Sequence, residues 1–314
     1  MKVETKFGES IVTIESGKLA KQANGSAVVI MGETIVFAAA EASHEKREGI
    51  DFLPLTVDYQ ERYYGVGRIP GNFFRREQGR PSEKETLTAR FIDRPCRPLI
   101  SKDWTYETQV IAQAWSVDNN YDPDLLAMLA ASTALTLSEI PFEGPIAGSR
   151  VCRVDGKLVV GPTQSQINQA DMTLIVAASE TAVVMVEGGG REVEEAEILD
   201  AIFMAKEAVA PLLKLQLDLQ RELGKPKRPF EEIKRNEELI NQIKKEYYSE
   251  MLQALTIKTK MERHRQVTEL KDKVLALSLE TNPEGATDVV YALNKLEGET
   301  LRNLILDEGR RIDG

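Results

Sequence analysis

Residues 67–97 read GRIPGNFFRREQGRPSEKETLTARFIDRPCR and form the most informative stretch of this chain. Residues 61–97 carry nine basic and five acidic side chains, whereas the whole chain has a net charge of −10. The basic residues surround an adjacent aromatic pair, Phe73 and Phe74, in a segment rich in glycine and proline. Arginine forks match phosphate oxygens in pairs, and aromatic rings can stack on bases. The stretch therefore predicts a local site for a polyanion in a protein that is acidic elsewhere.

The second half of the stretch predicts a helix that starts at Ser82. Ser82-Glu83-Lys84-Glu85 matches a capping box, in which the serine is the N-cap and Glu85 is the third helical residue. Pro95 predicts that this helix ends near Arg94, because a proline disfavours helical geometry in the residue before it.

Three arginines of this segment, Arg90, Arg94 and Arg97, are spaced by four and then three residues. The spacing would place them on one helix face, as a stripe that grips phosphate groups. Ion pairs with acidic neighbours such as Asp93 are the alternative, and the sequence leaves both interpretations open. The phenylalanine pair has an alternative too, in which both rings fold back as a local hydrophobic plug.

Outside this stretch, the hydrophobic pattern predicts a domain of mixed strands and helices. Val- and Ile-rich runs before residue 60 indicate strands. Asp122-Pro123 is a helix start, and the residues that follow are apolar on nearly every side, so a buried helix is expected there. Further strands are expected over residues 108–117, 150–162, 171–178 and 182–187, and a long helix over 191–223 with a bend at Pro211.

The composition changes at residues 224–229 (GKPKRP), which combine helix-stop, proline and charge signals. Residues 1–223 are therefore expected to form one domain, followed by a linker at 224–230. Within that domain, residues 1–140 are expected to form an N-terminal part and residues 141–223 a C-terminal part.

Beyond the linker, residues 231–308 predict an all-helical domain, because Leu and Ile recur at helical spacing on segments rich in Glu, Lys and Arg. Asn282-Pro283 separates the last two of its three helices. The last residues, 309–314 (GRRIDG), read as the start of a further domain rather than as a domain end.

Several classes of protein are excluded. No apolar run approaches the ~18 residues of a membrane span, and the first ten residues lack the apolar core of a signal peptide. Cys96 and Cys152 fit no metal or redox spacing and indicate buried, reduced thiols in a cytoplasmic protein. No catalytic motif can be assembled, and Gly188-Gly189-Gly190 indicates a tight turn rather than a phosphate-binding loop.

Long stretches of the chain resemble the polynucleotide phosphorylase family. DFLPLTVDYQERYYGVGRIPGNFFRREQGRPSEKETLTARFIDRPCRPL (51–99) resembles its first RNase PH-like domain, and MVEGGGREVEEAEILDAI (185–202) resembles the later part of that domain. Residues 231–308 are similar to the all-helical domain that follows, and DEGRRIDG (307–314) to the first residues of a second RNase PH-like domain. The resemblance implies an α+β RNase PH-like fold, with mixed sheets packed with helices (ribosomal protein S5 domain 2-like), followed by a small all-α helical bundle.

The resemblance also implies an activity, 3′-to-5′ phosphorolytic degradation of single-stranded RNA in mRNA turnover. In that family phosphate attacks the terminal linkage and releases a nucleoside diphosphate, and the reverse reaction is polymerisation. Three subunits form a ring, and the FFRR loop lines the entrance of its RNA-conducting pore. The residues implied to bind RNA are Phe73, Phe74, Arg75, Arg76, Arg80, Arg90, Arg94 and Arg97, extended to Arg68.

Two departures from the family pattern qualify this interpretation. The family commonly reads FFRREGRPSE, whereas Gln78 is an additional residue here and would change where Arg80 points. The family's phosphorolytic site, with its Mg2+-binding acids, belongs to the second RNase PH-like domain. The chain is therefore expected to be an N-terminal fragment without catalytic or metal-binding residues and without a bound cofactor. Mg2+ and phosphate would serve the full-length enzyme, whose partners would be other members of an RNA-degradation complex.

Two alternative functions remain at this point. One is a stand-alone RNA-binding or adaptor module without catalysis. The other is an enzyme that acts on small phosphorylated metabolites, which would bind without regard to polymer length. RNA binding instead predicts an affinity that falls steeply with salt.

Overall fold

The computed structural model describes residues 1–47, 50, 52–118, 120–231, 236–281 and 285–313. The chain divides into two compact units, Met1–Glu232 and Ile233–Gly314. Asn282-Pro283, where the sequence predicts a break between two helices, lies outside the described residues.

Six strands form the first sheet of the first unit. They are β1 (Lys2–Phe7), β2 (Ser10–Glu15), β3 (Gly25–Met31), β4 (Thr34–Lys46), β5 (Leu55–Glu61) and β6 (Tyr106–Ser116), in the order β1-β2-β3-β4-β6-β5. All neighbours are antiparallel except β5 and β6, which are parallel. Parallel strands need a crossover connection, and residues 62–105 supply it. The arginine-rich stretch is therefore part of a connection between two paired strands.

Helix α1 (Glu83–Cys96) lies within this crossover, between a 3-10 turn at Tyr63–Val66 and another at Arg97–Leu99. The predicted capping box is confirmed, with Ser82 accepting from the Glu85 N–H and Glu85 accepting from the Ser82 N–H. The predicted end near Arg94 is wrong, because the helix continues through Pro95. Phe91, Ile92 and Pro95 are buried, and this packing outweighs the local cost of proline.

The second half of the unit contains a four-stranded antiparallel sheet and the two long helices. The elements are α2 (Pro123–Leu137), β7 (Ala147–Val154), β8 (Lys157–Val160), α3 (Gln164–Gln169), β9 (Met172–Ala178), β10 (Val183–Gly190) and α4 (Glu195–Leu223), with strand order β10-β9-β7-β8. Helix α2 is buried, as predicted, because it contacts β3, β4 and β6 on the first sheet and β7 on the second. Helix α4 runs unbroken through Pro211. Gly188–Gly190 lie in the extended end of β10, so the predicted tight turn is wrong.

Residues 224–230, expected to be a linker, pack on the first unit instead. The Lys227 ammonium donates to the carbonyls of Leu135, Thr136 and Ser138 at the end of α2. The Phe230 ring stands edge-on to the buried Trp104, with ring centroids 5.8 Å apart. A Gly/Pro/Lys pattern shows that a helix stops, but it does not show whether the following chain packs.

The described part of the second unit forms three helices, α5 (Glu237–Leu255), α6 (Lys260–Thr281) and α7 (Ala286–Glu308). They enclose a separate hydrophobic core that includes Ile243, Met251, Val274 and Leu293. Gly309 ends α7 in the left-handed conformation, with φ 62°. The architecture is the predicted one, an α+β unit with mixed sheets followed by a small helical bundle.

Candidate nucleic-acid interface

The tip of the arginine-rich loop is a tight turn built on Asn72. The Asn72 Oδ1 accepts hydrogen bonds from the backbone N–H groups of Phe74 and Arg75, and its own N–H donates to the Arg75 carbonyl. Gly71 has φ 78°, and a Cβ at this position would lie 1.9 Å from the Arg75 carbonyl oxygen. The sequence Gly-Asn-Phe-Phe-Arg therefore fixes a local backbone geometry that needs both the glycine and the asparagine.

This turn presents the two phenylalanine rings to solvent. Phe73 is 82% exposed and Phe74 is 94% exposed. Their ring centroids are 5.4 Å apart and their planes are nearly perpendicular. Rings this exposed do not form the hydrophobic plug that the sequence left open. Solvent-exposed aromatic rings in a basic loop are available for stacking on bases.

Three of the predicted arginines have free guanidinium groups. Arg68, Arg80 and Arg90 are exposed, and in the described part of the chain none of their guanidinium groups has a hydrogen bond or an ion pair. Arg76 approaches the Phe73 ring, with 6.0 Å between its Cζ and the ring centroid. Arg75 pairs with Glu77 through Nε–Oε2 at 2.7 Å, and both side chains are largely exposed. An exposed pair of this kind contributes little stability and can exchange its carboxylate for a phosphate.

The predicted stripe on α1 is only partly realised. Arg94 is exposed and pairs with Glu187 of β10 through Nη1–Oε2 at 2.5 Å. Arg97 lies in the turn after α1 and donates to Asp93 and to the backbone carbonyls of Leu53 and Leu55. All three nitrogens of the Arg97 guanidinium are therefore occupied within the fold. The ion-pair alternative holds for this residue, and we exclude it from the candidate RNA-binding set.

Glu85 joins both ends of the loop, a role that sequence reasoning missed. Its carboxylate accepts from the Ser82 N–H at 2.7 Å and from the Glu61 N–H, at the end of β5, at 2.8 Å. Burial alone would raise the pKa of Glu85, but the two backbone donors, together with the Ser82 hydroxyl and the nearby Arg62, hold the pKa below its usual value. The capping box is visible in the sequence, whereas the bond to Glu61 depends on tertiary structure.

Gln78, which the resemblance marks as an additional residue, is half-buried among exposed neighbours. Its Oε1 accepts from the Arg62 Nη1 at 3.2 Å, and its Nε2 lies 3.5 Å from the Glu61 carbonyl and 3.5 Å from the Glu85 Oε1. Gln78 therefore adds contacts between the loop and the end of β5 and does not project as a bulge into solvent.

An open groove of about 700 Å3 lies beside the loop tip. It is lined by Tyr63, Gly71, Asn72, Arg75, Glu77, Gln78, Gly79 and Arg80. Tyr63 belongs to the 3-10 turn after β5, so the groove separates this turn from the arginine loop.

The acidic residues near the end of β5 and the start of α2 form ion pairs with arginine and lysine side chains. Arg150 contacts Asp122 at 3.1 Å and Asp124 at 2.5 Å, and the Lys84 Nζ lies 3.0 Å from Glu61 and 3.7 Å from Asp122. No group of three or more His, Cys, Asp or Glu residues that could hold a metal ion occurs among the described residues. These acids do not fit a Mg2+ ion, which needs free carboxylate oxygens in octahedral geometry.

The chain matches three family models in succession. The 3′ exoribonuclease family, domain 1, matches residues 11–141, and domain 2 of that family matches residues 144–208. The RNA binding domain of polyribonucleotide nucleotidyltransferase matches residues 238–314. The three matches follow one another along most of the chain.

No described helix has the length and apolar character required to cross a bilayer.

Individual proteins give the same result. A polyribonucleotide nucleotidyltransferase of Desulfatibacillum aliphaticivorans is 48% identical over 99% of this chain and 44% of its own length. One of Geobacter sulfurreducens is 45% identical over 100% of this chain and 45% of its own length. The chain thus spans less than half the length of these relatives. The crystal structure of rice Rrp46 superposes with a TM-score of 0.51 and 18% identity, over 67% of this chain and 93% of the rice chain, which indicates a shared fold.

Proposed function

Because this chain belongs to the polyribonucleotide nucleotidyltransferase family, we propose that it is the RNA-guiding part of a phosphorolytic 3′-to-5′ exoribonuclease. The observation that carries this proposal is the pair of exposed rings at Phe73 and Phe74, in a loop that also carries Arg75, Arg76 and the unpaired Arg80. Exposed aromatic rings cost solvation free energy in a monomeric domain, and base stacking would recover it.

The proposed RNA-binding surface combines stacking with phosphate contacts. Its residues are Phe73, Phe74, Arg68, Arg75, Arg76, Arg80, Arg90 and Arg94. Rings stack on bases of any identity, and guanidinium groups contact the backbone, so the surface would hold single strands without sequence preference.

The proposed reaction of the whole enzyme is phosphorolysis, for which phosphate is the second substrate. A phosphate oxygen bonds to the phosphorus of the 3′-terminal linkage, and the bond from that phosphorus to the preceding 3′ oxygen breaks. The 3′ oxygen takes up a proton, and a nucleoside diphosphate leaves. We propose that this chemistry, and the Mg2+ that would assist it, belong to residues of the whole enzyme outside this chain.

The assembly and the cellular role of the whole enzyme are also proposed from the family. We propose a homotrimer of the whole enzyme in the cytoplasm, which takes part in mRNA turnover with other RNA-degrading proteins. Isolated surface ion pairs contribute less than ~1 kcal/mol each, so one copy of the surface would bind weakly. Three copies around one strand would raise the affinity through effective concentration.

The test is RNA binding by this chain, measured as fluorescence anisotropy of labelled oligo(A). Replacement of both Phe73 and Phe74 by Ala should weaken binding at least about fivefold, because stacking contributes ~1–3 kcal/mol per base. Phe203→Ala is the matched control, since Phe203 is also exposed, at 59%, but lies on α4. Equal affinity of the double variant and the control would contradict the proposal.

A further inference from the structure

The groove beside the arginine loop has a composition that suits one nucleotide. Its lining includes one aromatic residue, Tyr63, and two arginines, Arg75 and Arg80. Its volume of about 700 Å3 lies in the range of small-molecule sites. An aromatic residue and two arginines in one groove match the two ends of a nucleotide, a flat base and a charged phosphate.

Tyr63 is held in place by its backbone and not by its side chain. Its carbonyl accepts from the Arg68 N–H at 2.9 Å, and the neighbouring Arg62 N–H donates to Ala114 of β6 at 3.0 Å. The ring is 45% exposed, and the hydroxyl has no hydrogen-bond partner among the described residues. The backbone of Tyr63 is therefore ordered before a base binds, so binding has to order only the side chain.

The two arginines of the groove differ in availability. Arg80 has no partner within the described residues, whereas Arg75 is paired with Glu77. A phosphate entering the groove would meet Arg80 directly and would compete with Glu77 for Arg75. Glu77 also lines the groove, so it would disfavour an anion that is not held by both guanidinium groups.

We propose that this groove binds one nucleotide of the single-stranded RNA, with the base stacked on Tyr63 and the phosphate held by Arg80 and by Arg75, which it takes from Glu77. The inference rests on the proposed function, because the same strand would continue to the Phe73–Phe74 tip. It adds a third aromatic contact, on the 3-10 turn after β5, to a surface whose other two rings lie at the loop tip.

The first experiment measures the affinity of three variants for labelled oligo(A). Tyr63→Ala should weaken binding at least about fivefold, and Tyr63→Phe, which keeps the ring, should stay within about twofold of the unmodified chain. Tyr64→Ala is the matched control, since Tyr64 belongs to the same turn and is 63% exposed but does not line the groove. It should change affinity less than about twofold.

The salt dependence separates a stacking role from a general loss of structure. Tyr63→Ala should leave the slope of log affinity against log salt unchanged, because no phosphate contact is lost, whereas a displaced loop would flatten it. Oligonucleotides carrying 5-iodouridine should photo-crosslink to Tyr63, and Tyr63→Ala should remove that adduct.

The outcomes distinguish a failure of the groove from a failure of the proposed function. If the Phe73/Phe74 variant binds more weakly while Tyr63→Ala binds normally, the nucleotide groove is contradicted and the proposed function stands. A flattened salt slope for Tyr63→Ala would also contradict the groove. If the unmodified chain binds no RNA at all, the proposed function falls, and the groove falls with it.

Discussion

The Arg97 guanidinium holds the Asp93 carboxylate with two hydrogen bonds, from Nε at 3.0 Å and from Nη2 at 2.7 Å. The same guanidinium donates to the carbonyls of Leu53 and Leu55, at 3.2 and 2.9 Å. Arg97 therefore ties the end of α1 to the start of β5. Bidentate geometry and backbone acceptors together make this a structural contact rather than a surface ion pair of little effect.

Replacement of Arg97 by Ala should consequently affect stability more than RNA binding. We expect the free energy of unfolding of the first unit to fall by about 1–2 kcal/mol, reduced from the usual value for charged hydrogen bonds because Arg97 is partly exposed. Urea unfolding followed by tryptophan fluorescence reports on this unit alone, since Trp104 and Trp115 both belong to it. Arg90→Ala, which removes a free guanidinium, should instead weaken RNA binding and leave stability unchanged. The reverse pattern for the two variants would show that Arg97 is an RNA contact.

The difference between Arg90 and Arg97 shows how far sequence could define the site. Spacing identified a basic helix with several arginines, composition identified the loop that precedes it, and the resemblance implied that this loop contacts RNA. Neither could show that Arg97 meets carbonyls some forty residues earlier in the chain, because such acceptors are invisible in a local pattern. The sequence did not identify Tyr63 for a similar reason: it lines the groove because the turn after β5 brings it there, and that turn depends on tertiary structure.

Predictions of secondary structure from the sequence were confirmed where local signals and tertiary packing agree. The capping box at Ser82 and the buried helix after Asp122 are examples, because each has an unambiguous start signal followed by the expected hydrophobic pattern. Pro95 and residues 224–230 are the opposite case. A proline or a charged Gly/Pro segment predicts an interruption, but packing of Pro95 in the core and of Phe230 on Trp104 decided the outcome.

Arg80 should account for one phosphate contact in the salt dependence of RNA binding. Arg80→Ala should reduce the magnitude of the log–log slope by about 0.7, the value for one phosphate neutralised on a single strand. Arg221→Ala is the control, because it removes the same charge from an exposed position on α4, where Arg221 pairs with Asp218. Titrations of labelled oligo(A) at several salt concentrations give both slopes. Equal slopes for the two variants would mean that Arg80 contributes only to net charge.

Glu85 should make the stability of the first unit depend on pH in acid. Its pKa is lower in the fold than the ordinary 4.5, so the stabilisation is complete above about pH 4.5 and is lost as pH falls through the folded value. Glu85→Gln should lower the free energy of unfolding by about 1–2 kcal/mol at pH 7, because Glu85 accepts two backbone hydrogen bonds as a charged group. The difference from the unmodified chain should shrink below pH 4.5.

Urea unfolding at a series of pH values measures this difference. Glu83→Gln, at an exposed position of the same helical turn, should show little effect at any pH. A Glu85→Gln deficit that persists unchanged in acid would contradict the role of the charged form.

Residues 224–231 should be needed for the stability of the first unit. A chain that ends at residue 231 keeps the Lys227 cap on α2 and the Arg228 guanidinium, 5.4 Å from the Trp104 ring centroid. A chain that ends at residue 223 loses both, and it should be at least about 2 kcal/mol less stable, since cation–π and capping contacts contribute about 1 kcal/mol each and Phe230 adds buried area. Tryptophan fluorescence during urea unfolding compares the two directly. Equal midpoints would mean that the segment is a linker after all.

Phosphorolysis should be absent from this chain even where RNA binding is present. With poly(A), phosphate and Mg2+, we expect no release of adenosine diphosphate, because the closest acids behind the loop are already paired with Arg150 and Lys84. A polyribonucleotide nucleotidyltransferase of full length, such as that of Geobacter sulfurreducens, serves as the positive control under the same conditions. Release by the unmodified chain would show that a catalytic site lies within these residues.

Arg150→Met would then be the informative variant, since freeing Asp122 and Asp124 from their cation would change metal-dependent catalysis only if those acids took part in it.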